Sequence, residues 1–144
     1  MSDLYQPSDN PETRPFWEAA DKGRFLLKGC NGCGQKHYYP RSLCPTCFSA
    51  DTVWIEAAGQ GVVYSYCSTR RGETAHTIAY VTLDEGPTIL TNIVDAEPDQ
   101  IRVGARVILS FRRAADGRNL AMFVLCDEAA AGNGDRRAST TKGA

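Results

Sequence analysis

Past residue 58 the chain alternates apolar and polar positions with a period of two, the signature of strands with one buried face. The alternation is sharpest in His76–Leu83, where Thr77, Ala79, Val81 and Leu83 oppose Ile78 and Tyr80. Four more stretches share this rhythm: Gly61–Ser68, Thr88–Val94, Ala105–Arg113 and Asn119–Cys126. Val62, Tyr64 and Tyr66 are expected on one face of the first, and Val107, Leu109 and Phe111 on one face of the fourth. Turn residues punctuate them: Asp84-Glu85-Gly86-Pro87 after the second and Asp116-Gly117 before the last. The segment Asp95–Gly104 has room for one helical turn at most. Five antiparallel strands in so short a span predict a small Greek-key barrel of the OB type, with an SH3-like barrel as the alternative.

The first third is patterned differently. Residues 1–12 are polar and carry Pro7 and Pro11, which predicts a loose arm. Residues 13–23 predict a short helix, with Thr13 at the N-cap, Pro15 in the first turn and Gly23 at the end. Phe16, Trp17 and Ala20 form its apolar stripe. Phe16 and Trp17 either pack the helix onto the body or anchor a partner subunit, since aromatic residues concentrate at interface centres. Arg24–Lys28 and Thr52–Glu56 predict short strands flanking a cysteine-rich segment. From Glu128 the chain is rich in Ala, Gly and Ser, which predicts disorder. The expected organisation is an arm and helix over 1–23, a cysteine-rich unit over 24–57, a barrel over 58–127 and a tail over 128–144.

Composition narrows the class. The chain has 144 residues, too few for a (β/α)₈ barrel or a full dinucleotide-binding enzyme. Its net charge is −1, whereas a generic nucleic-acid binder carries a basic excess. No apolar run approaches the roughly 20 residues of a membrane helix. The opening residues lack a charged-then-apolar signal pattern, so a cytoplasmic protein is expected.

Four of the six cysteines form two pairs: Cys30-Asn31-Gly32-Cys33-Gly34, then Cys44-Pro45-Thr46-Cys47. In a reducing compartment this spacing favours thiolates on a metal over disulfides. Each Cys-x-x-Cys makes a tight turn with backbone amides aimed at sulfur, and Gly34 frees the backbone for a positive φ. Four thiolates suit Zn²⁺ in a closed site with no open position for water, which is structural rather than catalytic. Such a site folds a segment too small to bury a core of its own. Disulfides, a redox Cys-x-x-Cys and a rubredoxin-like iron site are the alternatives. The redox reading needs a βαβ context that is missing, and rubredoxins separate their pairs by a longer loop. Cys67 and Cys126 fall in strand patterns and read as small buried hydrophobes. His37 is a spare metal ligand at most. A Cys67–His76 nucleophile pair lacks an orienting third group and an oxyanion hole.

These motifs occur in a recognisable order. Pro15-Phe16-Trp17-Glu18, Cys30-x-x-Cys33-Gly34, Tyr39-Pro40-Arg41 and Cys44-Pro45-x-Cys47 resemble the zinc-ribbon half of the DUF35 proteins. Gly59-x-Gly61-x-Val63-Tyr64-Ser65-Tyr66, Leu83-Asp84-Glu85-Gly86-Pro87, Asn92 and Val103-Gly104-Ala105-Arg106-Val107 resemble their OB-fold half. The likeness runs from about residue 13 to 125. One departure is Phe48, where the family usually has Gly after the last cysteine. The resemblance implies a mainly β protein: a short N-terminal helix, a rubredoxin-like zinc ribbon, then a five-stranded OB-fold barrel. It also implies a small non-catalytic subunit beside an enzyme of acyl-CoA chemistry, a thiolase, a thiolase-like synthase or a hotdog-fold enoyl-CoA hydratase.

The expected function is therefore a zinc-containing accessory subunit of a thiolase-like complex, assisting assembly and CoA or acyl-CoA binding. Lys36, His37, Arg41, Arg70 and Arg71 are the candidate contacts for CoA phosphates, because such side chains pair well with phosphate oxygens. Arg41 leads them, held beside the metal loop by Pro40. A single-stranded nucleic-acid module is the competing reading, with Tyr64, Tyr66 and Tyr80 as stacking platforms. Against it, residues 58–127 carry seven basic and eight acidic residues and so no positive groove.

Overall fold

The computed structural model describes residues 10–126. The start of the expected arm and the expected tail from residue 128 lie outside the described residues. Helix α1 (Arg14–Asp21) begins at Thr13, whose backbone rather than side chain makes the cap, and carries Pro15 in its first turn. The Thr13 hydroxyl instead donates to the Asn10 carbonyl at 3.3 Å. Gly23 ends the helix in the left-handed region at φ 77°, where a Cβ would be strained.

The apolar stripe of α1 is spent inside the chain. Phe16 is 1 % exposed and Trp17 8 %. The Phe16 ring meets Trp17 edge-on at 5.0 Å, Phe25 at 6.0 Å and Tyr39 at 5.8 Å. The Trp17 Nε1–H donates to the Tyr39 hydroxyl at 2.9 Å, which satisfies the one polar atom this burial would orphan. The partner-anchor expectation for Phe16 and Trp17 gives way to the packing one.

Three strands form an antiparallel sheet in the order β2-β1-β3: β1 (Leu26–Cys30), β2 (Lys36–His37) and β3 (Thr52–Glu56). Strand β1, paired on both edges, is buried along its whole length. Lys28 is buried with it; its ammonium donates to Thr52 Oγ1 at 3.0 Å and sits 4.6 Å from the Trp54 ring centroid.

The remaining strands close a barrel in the order β4-β5-β6-β8-β7. They are β4 (Gln60–Arg71), β5 (Thr74–Leu83), β6 (Thr88–Ile93), β7 (Arg106–Arg113) and β8 (Asn119–Leu125). A 3-10 turn, Pro98–Gln100, is the only helical element between β6 and β7. The parallel β6–β8 contact joins at a single pair, Ile93↔Phe123, so closure there is minimal. Residues 77, 79, 81 and 83 of β5 point inward as the alternation requires. In β4 the alternation slips: a bulge between Val63 and Ser65 leaves Tyr64 as the extra residue. Val63, before the bulge, is inside opposite Val81, Tyr64 is 67 % exposed, and Tyr66, after it, pairs with the inward Ala79. Gly61 sits where β4 is shared by β5 and β7, and a Cβ there would lie 2.5 Å from the Thr82 carbonyl oxygen.

One apolar cluster runs through all three parts, from Phe16, Phe25 and Leu27 to Val63, Val81, Ile101 and Phe123. Asn119 ties the barrel to the helix end, donating its backbone N–H to Asp21 Oδ1 and its side-chain Nδ2 to the Ala20 carbonyl, each at 3.0 Å. Among the described residues no helix is long and apolar enough to cross a membrane.

Candidate metal centre

The two Cys-x-x-Cys turns are built alike. In the first, Cys30 N–H donates to the Gln35 carbonyl at 2.9 Å and Gly34 N–H to the Cys30 carbonyl at 2.8 Å. In the second, Cys44 N–H donates to the Ser49 carbonyl and Phe48 N–H to the Cys44 carbonyl, both at 2.9 Å. Gly34 has φ 74° and Phe48 φ 62°. Phe48 thus takes the left-handed conformation of the glycine it replaces, and the knuckle keeps its hydrogen bonds. Its ring is 75 % exposed.

These turns bring four sulfurs together. Every pair among Cys30, Cys33, Cys44 and Cys47 lies within 4.8 Å, with Cys30···Cys47 at 3.6 Å and Cys33···Cys44 at 3.7 Å. A tetrahedral ion with Zn–S bonds of about 2.3 Å separates its sulfurs by roughly 3.8 Å. A disulfide needs about 2.05 Å, so the disulfide reading is excluded for these pairs. The electrostatics agree. Backbone amides of Cys47 and Thr46 pull the Cys44 thiol down to about 6. Cys33 goes the other way, to about 12: the Gln35 amide is outweighed by desolvation and by the three other sulfurs. At these distances all four sulfurs can be thiolates together only around a cation, and the set fits zinc. The ion would have four protein ligands, no position for water or substrate, and a structural role.

The other candidates are dispersed. Lys36 is exposed and lines a cleft of about 370 Å³ between ribbon and barrel, with Glu85, Gly86 and Pro87 across it. His37 is buried with both ring nitrogens unpartnered, and burial holds it below the usual imidazole range. It faces the interior, which removes it as a phosphate contact. Arg41 is exposed beside Glu12, 3.8 Å away. Arg70 and Arg71 sit at the β4–β5 hairpin, Arg71 paired with Thr74, and Arg70 reaches Glu97 at 3.3 Å. The ribbon cleft meets the barrel at the opposite end of β5, about 30 Å away along a ten-residue strand. The five residues do not form one site.

Cys67 is exposed, not buried as its strand pattern suggested. It faces Ile78, while His76 pairs with Thr69. Among the described residues no third group orients this pair as nucleophile and base. Tyr64, Tyr80, Ile78 and Leu90 share the outer face of β4-β5-β6, and their strand partners Ser65, Asn92 and Cys67 are uncharged. Arg71 and His76 lie on the same face at the hairpin end, through the pairs Arg71↔Thr74 and Thr69↔His76, but no row of cations runs beside the rings to follow a phosphate backbone.

Residues 17–53 match the model for the ChsH2 rubredoxin-like zinc ribbon domain, and residues 54–112 that for the ChsH2 C-terminal OB-fold domain. A DUF35 domain-containing scaffold protein of Methanocaldococcus jannaschii is 32 % identical over 101 residues, 64 % of this chain and 72 % of that protein. A protein of Thermomonospora curvata named "Probable enoyl-CoA hydratase alpha subunit" is 33 % identical over 123 residues, 82 % of this chain. The chain spans only 39 % of that relative's length. The benzoylsuccinyl-CoA thiolase subunit BbsA of Thauera aromatica is 27 % identical over 79 % of this chain and 89 % of its own. Among solved structures, the Ltp2–ChsH2(DUF35) aldolase superposes with a TM-score of 0.73 at 33 % identity, covering 83 % of this chain and 98 % of that one.

Proposed function

Since the chain belongs to the DUF35 family, whose zinc-ribbon and OB-fold parts it carries in order, we propose that it is the non-catalytic subunit of a thiolase-like enzyme acting on acyl-CoA. The observation that carries this reading is the closed Cys30, Cys33, Cys44, Cys47 site in a chain whose described residues assemble no nucleophile with a base. Chemistry then belongs to a partner subunit, and this chain supplies a rigid zinc-folded surface. The likeness to BbsA along 89 % of that thiolase subunit supports a carbon–carbon bond-forming or bond-cleaving partner. The greater identity to the Thermomonospora protein favours a second reading, an accessory subunit of a hotdog-fold enoyl-CoA hydratase.

Within the first reading, Arg41 is the residue proposed to meet CoA phosphate. It is exposed, it follows the buried Pro40, and its one ionic partner among the described residues, Glu12, stands at the outer limit of an ion pair. Lys36 at the ribbon cleft and Arg70 and Arg71 at the far hairpin are secondary contacts for a long ligand or for the partner. The test is affinity isolation of the tagged full chain from its source cells at low salt, with mass spectrometry of what is retained. A near-stoichiometric thiolase-like chain supports the proposal, a hotdog-fold chain supports the second reading, and a lone zinc-loaded chain refutes both.

A further inference from the structure

The barrel's weakest seam opens a cavity that the accessory role does not use. Strands β6 and β8 meet at one pair, Ile93↔Phe123. Beyond it the chain leaves β6 through Asp95, itself in the left-handed region at φ 56°. The gap between this turn, the start of β5 and the end of β7 holds a cavity of about 570 Å³. That volume is within the range of small-molecule sites, which pair apolar walls with a few convergent polar groups.

The walls have that division. Ile93, Met122 and Ala114 form a buried apolar floor, at 4 %, 7 % and 5 % exposure. His76, Arg112 and Arg113 stand among the lining side chains. Asp95 is the one acid there, and it is already engaged by the Arg112 guanidinium. Ser110 Oγ holds the same guanidinium from the other side at 2.8 Å. Arg112 is thereby fixed in direction with its charge balanced. Arg113 lines the cavity with no ion pair among the described residues. The uncompensated charge is positive and sits beside an apolar floor. A cationic ligand would meet no free acid, and a bare inorganic anion would leave the floor wet.

We propose that this cavity binds an organic anion with an apolar body: a carboxylate or phosphate group at Arg113 and Arg112, and a hydrocarbon portion on Ile93, Met122 and Ala114. The proposal does not depend on which enzyme the chain serves.

The test is calorimetric titration of the zinc-loaded full chain with octanoate, octyl phosphate, octylamine and inorganic phosphate. Saturable binding of octanoate or octyl phosphate is expected, at least tenfold tighter than octylamine or inorganic phosphate. Octanoate alone identifies a carboxylate ligand, octyl phosphate alone a phosphate ester, and both together the shared chemistry. Arg113→Gln, at an exposed position, should weaken binding tenfold or more with unchanged thermal unfolding. Ala115→Trp, also exposed and on the lining, should block the mouth to similar effect. No saturable binding at millimolar ligand, equal binding of octylamine, or full affinity in both variants would overturn the assignment.

Discussion

Phe48 allows the backbone and side-chain contributions at one position to be separated. Its φ of 62° lies in the left-handed region, which costs an L-residue roughly 1–2 kcal/mol. Its ring is 75 % exposed, so only about a quarter of the roughly 1.5–3 kcal/mol for burying such a side chain is realised. Phe48→Ala removes that quarter and keeps the strain, and should destabilise by about 0.5 kcal/mol. Phe48→Gly removes the strain as well, offset by the roughly 0.5–1 kcal/mol of extra freedom Gly gains when unfolded. Gly should therefore exceed Ala by about 0.5–1 kcal/mol, the reverse of their order in a strand or helix. Thermal unfolding with excess zinc reads this as roughly 1–4 °C in favour of Gly. Ala equal to or above Gly would mean that the second knuckle does not hold Phe48 as Gly34 is held.

Further consequences follow from other sites. Cys44→Ser leaves three thiolates and an open position, so the variant should lose stoichiometric zinc by metal analysis and unfold roughly 10 °C lower or more; one tightly held zinc at an unchanged midpoint would contradict a closed structural site. Gly61→Ala forces a Cβ to 2.5 Å from the Thr82 carbonyl oxygen and 2.8 Å from Val81 Cγ1, and should cost about 1–3 kcal/mol in denaturant unfolding; a neutral result would mean that β4 is free to shift. The Arg106 guanidinium, 2.8 Å from Asp84, holds that carboxyl below the ordinary range. A depressed carboxyl stabilises the fold above its unfolded value and loses the effect as pH falls through the folded one. The deficit of Asp84→Asn should thus be present at pH 7 and shrink in acid below pH 4, and a deficit that grows in acid would reverse the sign. In a reconstituted complex, Arg41→Ala should raise the Michaelis constant for the CoA thioester several-fold with little change in kcat, and an unchanged constant would remove Arg41 from the CoA site.

How far the sequence was legible depended on the kind of signal. The barrel strands were readable because alternation is local: in β5 each inward residue from Thr77 to Leu83 is predicted by the polarity of its neighbours. The metal centre was readable because chelate geometry fixes the spacing of its ligands in the chain. Where a tertiary contact overrode the local pattern, reading failed. Val62, Tyr64 and Tyr66 looked like one face, but the bulge at Tyr64 breaks the period: Val62 and Tyr64 stay on the outer side, while Tyr66 pairs with the inward Ala79. Phe16 and Trp17 carried two readings, and only the ring contacts to Phe25 and Tyr39 decide between them. His37 looked like a surface cation because its burial depends on pairing with Lys28 across β1 and β2, and β2 is two residues long. The cavity beside Arg113 had no signal in the sequence, since its walls come from four strands.

The most direct test of the account is acyl-CoA turnover, measured on the purified zinc-loaded chain alone and on the complex isolated with it. The chain alone should show no thioester turnover, the complex should turn over, and turnover should fall once this subunit is stripped from its partner. Turnover by the lone chain that disappears in Cys67→Ala would contradict this, because the nucleophile would then lie on this subunit.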